Sequence, residues 1–182
     1  TLAGANTTAL TNATLQLDAG NTTTVGSGPQ NIGDLTFNGG SVIFSSLPTG
    51  IINTDTLTLN SGSVRVNPGN APVAGNLLAQ DDGVGQQLIS AASVVGPVGN
   101  LTLTDLGGNV LTTSNANIIQ GGSTVAVGTY SYSLGTSGSA GNGLYAQYSL
   151  TQLALQAGQS TNLSGDNAVP AGANELHAKI TG

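Results

Sequence analysis

The sequence predicts an all-β fold in which short strands stack in parallel as the coils of a solenoid, and three observations predict it. A six-residue phrase, Leu-x-(Leu/Phe/Gln)-x-x-Gly, recurs along the chain. Apolar and polar residues alternate singly around it, and no stretch of any length carries a helical period. The phrase reads Leu15-Gln-Leu17-Asp-Ala-Gly20, Leu35-Thr-Phe37-Asn-Gly-Gly40, Leu57-Thr-Leu59-Asn-Ser-Gly62 and Leu153-Ala-Leu155-Gln-Ala-Gly158. A looser copy at Leu101-Thr-Leu103-Thr-Asp-Leu-Gly107 has one extra residue, and Leu78-Ala-Gln80-Asp-Asp-Gly83 is a weaker sixth. The leading leucines at 15, 35, 57, 78 and 101 are 20, 22, 21 and 23 residues apart, a length that holds three short strands and makes one coil.

Each copy has a physical reading. Alternation puts Leu15 and Leu17 on one face of a strand and Gln16 on the other. The glycine supplies positive φ at a corner, where a preceding Asn or Asp bonds its own backbone. Alternation then resumes in Ser41-Val-Ile-Phe44 and Ser63-Val-Arg-Val66. Stacked coils bring equivalent residues to one strand spacing, roughly 4.8 Å. The expected core ladder is Leu15/Leu17, Leu35/Phe37, Leu57/Leu59, Leu101/Leu103 and Leu153/Leu155, each side chain contributing roughly 1.5–3 kcal/mol when buried. Asp18, Asn38 and Asn60, with Asp81, are expected to stack at the corner, and Thr36, Thr58 and Thr102 to face water.

Composition excludes several classes. Only 5% of the residues are charged, yet 38% are hydrophobic and 28 are glycine, which separates the chain from highly charged disordered sequences. Its 182 residues suffice for one elongated domain of roughly eight coils. Without cysteine there is no disulfide framework, thiolate nucleophile or zinc site of the usual kind. Two basic residues against eight acidic ones, a net charge of −6, disfavour nucleic acid and anionic membranes. No apolar run approaches the ~20 residues of a transmembrane helix. The chain starts in mid-pattern at Thr1, and we expect it to be part of something longer.

Near Val127 the character changes, giving an expected division into coils over 1–127 and a capping, folding-nucleating segment over 128–182 that continues them. All four tyrosines, Tyr130, Tyr132, Tyr145 and Tyr148, fall in this second part. Thr129–Leu134 and Leu144–Leu150 alternate around a glycine- and serine-rich stretch, Gly135–Gly143, which reads as a hairpin with a long loop. Farther on, Glu175, His177 and Lys179 share one face of a strand-like segment and Leu176, Ala178 and Ile180 the other. An open solenoid end invites aggregation, so atypical terminal coils are expected.

Coils such as Thr56-Leu-Thr-Leu-Asn-Ser-Gly62, followed by Gly128-Thr-Tyr-Ser-Tyr-Ser-Leu134, Asn142–Leu155 and Asn174–Ile180, resemble the passenger of AIDA-type bacterial autotransporters, in particular the autochaperone region before the membrane barrel. The resemblance is most specific from Gly128 onward. It implies a single-stranded, right-handed parallel β-helix that is exported through periplasm and outer membrane, is displayed at the cell surface, and has a C-terminal end that nucleates folding. The partners it implies are the protein's own membrane β-barrel and, for adhesion, a host receptor, a glycan or a like passenger on another cell.

Chemical sites are weak by comparison. Asp81-Asp82 reads as a solvated corner, because neighbours in a strand point apart. His177, the single histidine, reads as a surface residue beside Glu175 and Lys179. No Gly-x-Ser-x-Gly elbow precedes a helix, and Gly26-Ser-Gly28 and Gly121-Gly122 read as turns and not phosphate loops. Sequons at Asn6, Asn12, Asn21, Asn100 and Asn162 fit chance in an Asn- and Thr-rich chain. No catalytic, metal or cofactor-binding residue is predicted. A non-enzymatic structural and folding segment of a surface adhesin is therefore expected. The alternatives are a carbohydrate-active or carbohydrate-binding β-helix, which needs clustered carboxylates or exposed aromatics, and an ice-binding solenoid, which needs Thr-x-Thr on every coil.

Overall fold

A computed structural model describes residues 1–156 apart from 3, 70–85, 121, 122 and 139. Leu78, Asp81, Asp82, Gly121, Gly122, Gly158, Asn162 and the segment with Glu175, His177 and Lys179 lie outside the described residues. The fold is all-β. Nine strands form one mixed sheet that does not close on itself, in the order β1-β3-β4-β5-β9-β8-β7, with β2 beside β3 and β6 beside β4. They are β1 (Asn6–Asp18), β2 (Thr22–Val25), β3 (Gln30–Phe44), β4 (Ile52–Val66), β5 (Gln86–Val95), β6 (Leu101–Thr104), β7 (Thr113–Gln120), β8 (Ser123–Gly138) and β9 (Gly141–Leu155).

From β1 to β6 every pairing is parallel, and it sets like residue on like. Leu15 lies on Leu35 and Leu35 on Leu57; Leu17 lies on Phe37 and Phe37 on Leu59. The strands after the bend do the same, Val25 on Phe44 on Val66. Leu35, Phe37, Phe44, Leu57, Leu59 and Val66 are fully buried in one core. Thr36 and Thr58 pair on the other face of the same strands and stay partly exposed.

Bends interrupt the ladder at glycines. Register shifts flank Asn38, and Gly39 has φ of 96°. Beside it, a Cβ on Gly40 would come within 2.8 Å of the Leu17 and Asp18 backbone. Glycine is required there for close approach as well as for conformation.

Four sequence expectations are corrected. Leu57 is followed in its column by Val94, 37 residues on, and Gly62 and Val64 by Leu101 and Leu103, 39 residues on. Leu101 and Leu103 are buried, but they continue the column of Val64 and not that of Leu57 and Leu59. The two repeats expected between Leu57 and Leu101 thus correspond to one stacking step, from β4 to β5 and β6. Thr102 accordingly lies on Ser63, and Thr58 is followed by Val95. At the corner, Asp18 meets Asn38, but Asn38 pairs with Ser61, leaving Asn60 exposed outside the column because the bulge displaces the register by one. Leu153 and Leu155 belong to an antiparallel pair, opposite Gly128 and Ala126, where Leu155 is 38% exposed.

The facing gives a test. Leu59 is sealed in the core and Thr58, next to it, is not. Leu59→Asp buries an unpaired carboxylate and is expected to cost more than about 4 kcal/mol, whereas Thr58→Asp changes stability by less than about 1 kcal/mol. Urea unfolding of both variants checks this, and equal midpoints contradict the facing.

Candidate functional site

Catalytic chemistry finds few residues to work with. Arg65 is the single side-chain cation among the described residues. Its guanidinium lies beside Gly108, and its Nε is buried without a partner. The nearby Asp105 is engaged elsewhere, since Asn109 donates its backbone N–H to Oδ1 and its Nδ2 to Oδ2, both at 2.9 Å. Those bonds hold the Asp105 carboxyl below the ordinary range. Among the described residues no three His, Cys, Asp or Glu side chains gather as metal ligands.

Polar ladders, mostly of uncharged side chains, run up the parallel strands instead. Asn53 Nδ2 donates to Asn31 Oδ1 at 2.8 Å, and Asn31 Nδ2 to the Thr7 carbonyl at 3.1 Å. Asn38 Nδ2 and Gln16 Nε2 both donate to Asp18 Oδ1, at 2.8 and 2.7 Å, and depress the Asp18 pKa. The hydroxyls of Ser41 and Ser63 are 2.7 Å apart. A surface groove lined by Thr11, Asn31, Ile32, Asn53, Thr54 and Asp55 follows the first of these ladders.

The most specialised geometry is where the parallel stack stops. The last long strand, β5, is paired over its first half not by another parallel strand but by β9, which runs antiparallel and sets Gln86, Gln87, Ile89 and Ser90 against Ala146, Tyr145, Leu144 and Gly143. Leu144 and Ala146 enter the main core with Leu88 and Ile89, all fully buried. The contact depends on Gly143: its φ is 150°, and a Cβ there would sit 1.9 Å from the Ile89 carbonyl oxygen. Behind β9, β8 and then β7 complete an antiparallel meander.

The tyrosines hold this cap together. Tyr130 and Tyr132 point from β8 into the main core. The Tyr132 hydroxyl is 2.7 Å from Ser114 Oγ on β7. Tyr148, half-buried, meets Tyr130 edge-on with ring centroids 6.1 Å apart. Tyr145 faces the other side of β9 and donates its hydroxyl to the Gly141 carbonyl at 2.9 Å. Its ring fills the space of a Cβ at Gly138. The stretch Gly135–Gly143 is therefore not a long loop: strand pairing continues to Gly138 opposite Gly141, and the glycines make room for the Gln147 and Tyr145 side chains.

Sequence reasoning missed two parts of this site. β7 is rich in Ser and Asn and carries no clean alternation. A cleft between the Val98–Asn100 turn, β6 and β8, lined by Leu101, Leu103, Leu111, Tyr132 and Leu134, joins residues with no local signal in common.

The chain is similar to two curated proteins of Escherichia coli (strain K12). It is 38% identical over 214 residues to an uncharacterized lipoprotein, YdeK, an alignment covering 100% of this chain and 16% of that protein. It is 39% identical over 198 residues to an uncharacterized protein, YuaQ, covering 97% of this chain and 14% of that one. The chain thus spans between a seventh and a sixth of the length of the relatives it matches. No protein-family model matches the chain. No solved structure matches it.

The buried phenols give the cap a pH signature. Burial raises Tyr130 to about 12, with the neighbouring Tyr132 adding to the shift, and burial raises Tyr132 as well against the lowering effect of its Ser114 bond. A raised folded-state pKa means the fold favours the protonated phenol. Its contribution is complete below pH ~10 and is lost as pH rises through about 12. Tyr130→Phe is expected to flatten the fall of Tm between pH 10 and 12, and thermal melts of both proteins across that window check it.

Proposed function

We propose that this chain is a non-enzymatic stretch of a surface-displayed bacterial passenger of the AIDA-type autotransporter kind. In this reading it is a right-handed parallel β-helix whose C-terminal hairpin caps the stack and nucleates its folding. The observation that carries the reading is the pairing of β9 on β5, which ends a parallel stack with an antiparallel, tyrosine-anchored cap.

Chain geometry supports coiling. A straight strand of 15 residues, the length of β3, spans about 50 Å. Yet β4 lies parallel on β3, so the chain must return from Phe44 to Ile52 to start again beside Gln30. Eight residue steps reach at most about 29 Å. The strands have to bend round at their glycines for this return to be possible, as a coil does.

The name lipoprotein, carried by YdeK, supports a place in the cell envelope, and the autotransporter resemblance narrows that place to the outer surface. A membrane barrel following the cap is the expected translocation partner, with a host receptor, a glycan or a like passenger as the adhesion partner. The carbohydrate reading is weaker, since Tyr130, Tyr132 and Tyr145 are buried and unable to stack on a sugar. The ice-binding reading is weaker too, because the threonine column of Thr36 and Thr58 passes to Val95.

Removing residues 128–182 strips β9 from β5, so the remainder is expected to refold slowly or aggregate. Removing residues 1–29 leaves the cap and is expected to leave a folded protein. Gly143→Ala is expected to act as a milder form of the first truncation, at a cost above about 1 kcal/mol. Circular dichroism during refolding of the three variants checks this. Reversible refolding of residues 1–127 at the parent rate overturns the nucleating role.

A further inference from the structure

Two of the asparagines are followed by glycine, in Asn38-Gly39 and Asn142-Gly143. That dipeptide is chemically labile, because a glycine amide nitrogen has no side chain beside it to shield it from the asparagine side-chain carbonyl one residue back. The two are held differently. Asn142 sits opposite Ser137 on β8 and Gly143 opposite Ser90 on β5, so their peptide is clamped between two strands. Asn38 is exposed at a bend, with register shifts on both sides of it, and Gly39 takes φ of 96°.

What holds Asn38 is its neighbour on β1. Its side chain reaches sideways, Nδ2 donating to Asp18 Oδ1 at 2.8 Å, and Gln16 Nε2 donates to the same oxygen at 2.7 Å. The bonds from Asn38 and Gln16 lower the Asp18 pKa, so the carboxylate stays ionised and accepting at neutral and alkaline pH. Asn38 Cγ meets the Gly39 nitrogen only when the side chain swings back toward its own backbone, and that swing breaks the bond to Asp18.

We infer that Asn38 is a deamidation site and that Asp18 is the positioning residue that holds its rate down. In the reaction the Gly39 nitrogen gives up its proton and bonds Asn38 Cγ, the Cγ–Nδ2 bond breaks, and Nδ2 leaves with that proton as ammonia. Water then opens the cyclic imide at one of its two carbonyls, leaving aspartate or isoaspartate at position 38. Neither product is silent. Each puts a carboxylate where an amide donor met Asp18, and like charges opposite one another on neighbouring strands are destabilising. Isoaspartate also lengthens the backbone where Gly39 lies so close to Ala19 that a Cβ on the glycine would come within 2.8 Å of the Ala19 Cβ.

The 182-residue chain, Asp18→Ala and Asp18→Asn are incubated in mildly alkaline buffer made with heavy-oxygen water, and peptide mapping by mass spectrometry follows Asn38, with Asn142 as an internal clock. Asp18→Ala is expected to speed deamidation at Asn38 by roughly two- to fivefold, the scale of an exposed interaction with a charge, and to leave Asn142 unchanged. Asp18→Asn keeps an oxygen that accepts from Asn38 Nδ2 and is expected to lie closer to the parent chain than to Asp18→Ala. The parent chain itself is expected to deamidate at Asn38 faster in urea than when folded. Equal rates at Asn38 in the folded and urea-unfolded parent, no change at Asn38 in Asp18→Ala, or an equal rise at Asn142 in that variant overturns the inference. The urea comparison needs no substitution, so it decides the matter even if Asp18→Ala fails to fold.

Discussion

The parallel backbone ladder is the constraint on which the rest of this structure depends. Strands held in register at one spacing make the residue one strand away a close companion, so each column must be chemically uniform or must repair its exceptions. Most columns are uniform, as in Leu15, Leu35, Leu57 or Ser41, Ser63. Two buried exceptions are satisfied individually. Thr54, buried between Ile32 and Ala91, donates its hydroxyl to the Gly33 carbonyl at 2.8 Å. Gln30, buried under Ile52, donates its amide to the Gly4 carbonyl.

How much of this was legible in the sequence follows from what a period can encode. The stacking of β1, β3 and β4 was readable because its steps, 20 and 22 residues, equal the spacing of their leucines. The next step was not. Leu101 falls 44 residues after Leu57, twice the earlier step, so one long step imitates two short ones. The weak copy at Leu78, which lacks a second apolar residue, was the local sign that the phase had been lost. Likewise Leu153-Ala-Leu155 matches the phrase because alternation reports two faces of a strand and is silent on its direction.

The tyrosine cap was legible as a hairpin but not in its extent. Glycine and serine between two strands normally signal a loop. Here the space above Gly138 is taken by the Tyr145 ring, so the residue that looks like a breaker is the one that lets a large aromatic lie across its own turn. Antiparallel pairing also suits the position: β9 satisfies the edge groups of β5 while β8 and β7 carry the next edges away from the stack. A further parallel strand would have reproduced the same open edge one spacing later.

The near-absence of charge from these ladders bears on the medium the protein tolerates. Ion pairs between exposed groups weaken within a Debye length that shrinks from about 10 Å at 0.1 M salt to about 3 Å at 1 M. Hydrogen bonds between side-chain amides such as Asn53 to Asn31, hydroxyl contacts such as Ser41 to Ser63 and columns of leucine contain no such pairs to be screened. A stack built this way keeps its cohesion from dilute fresh water to brine, without the compensating counterions that a charge-rich surface of the same length would gather.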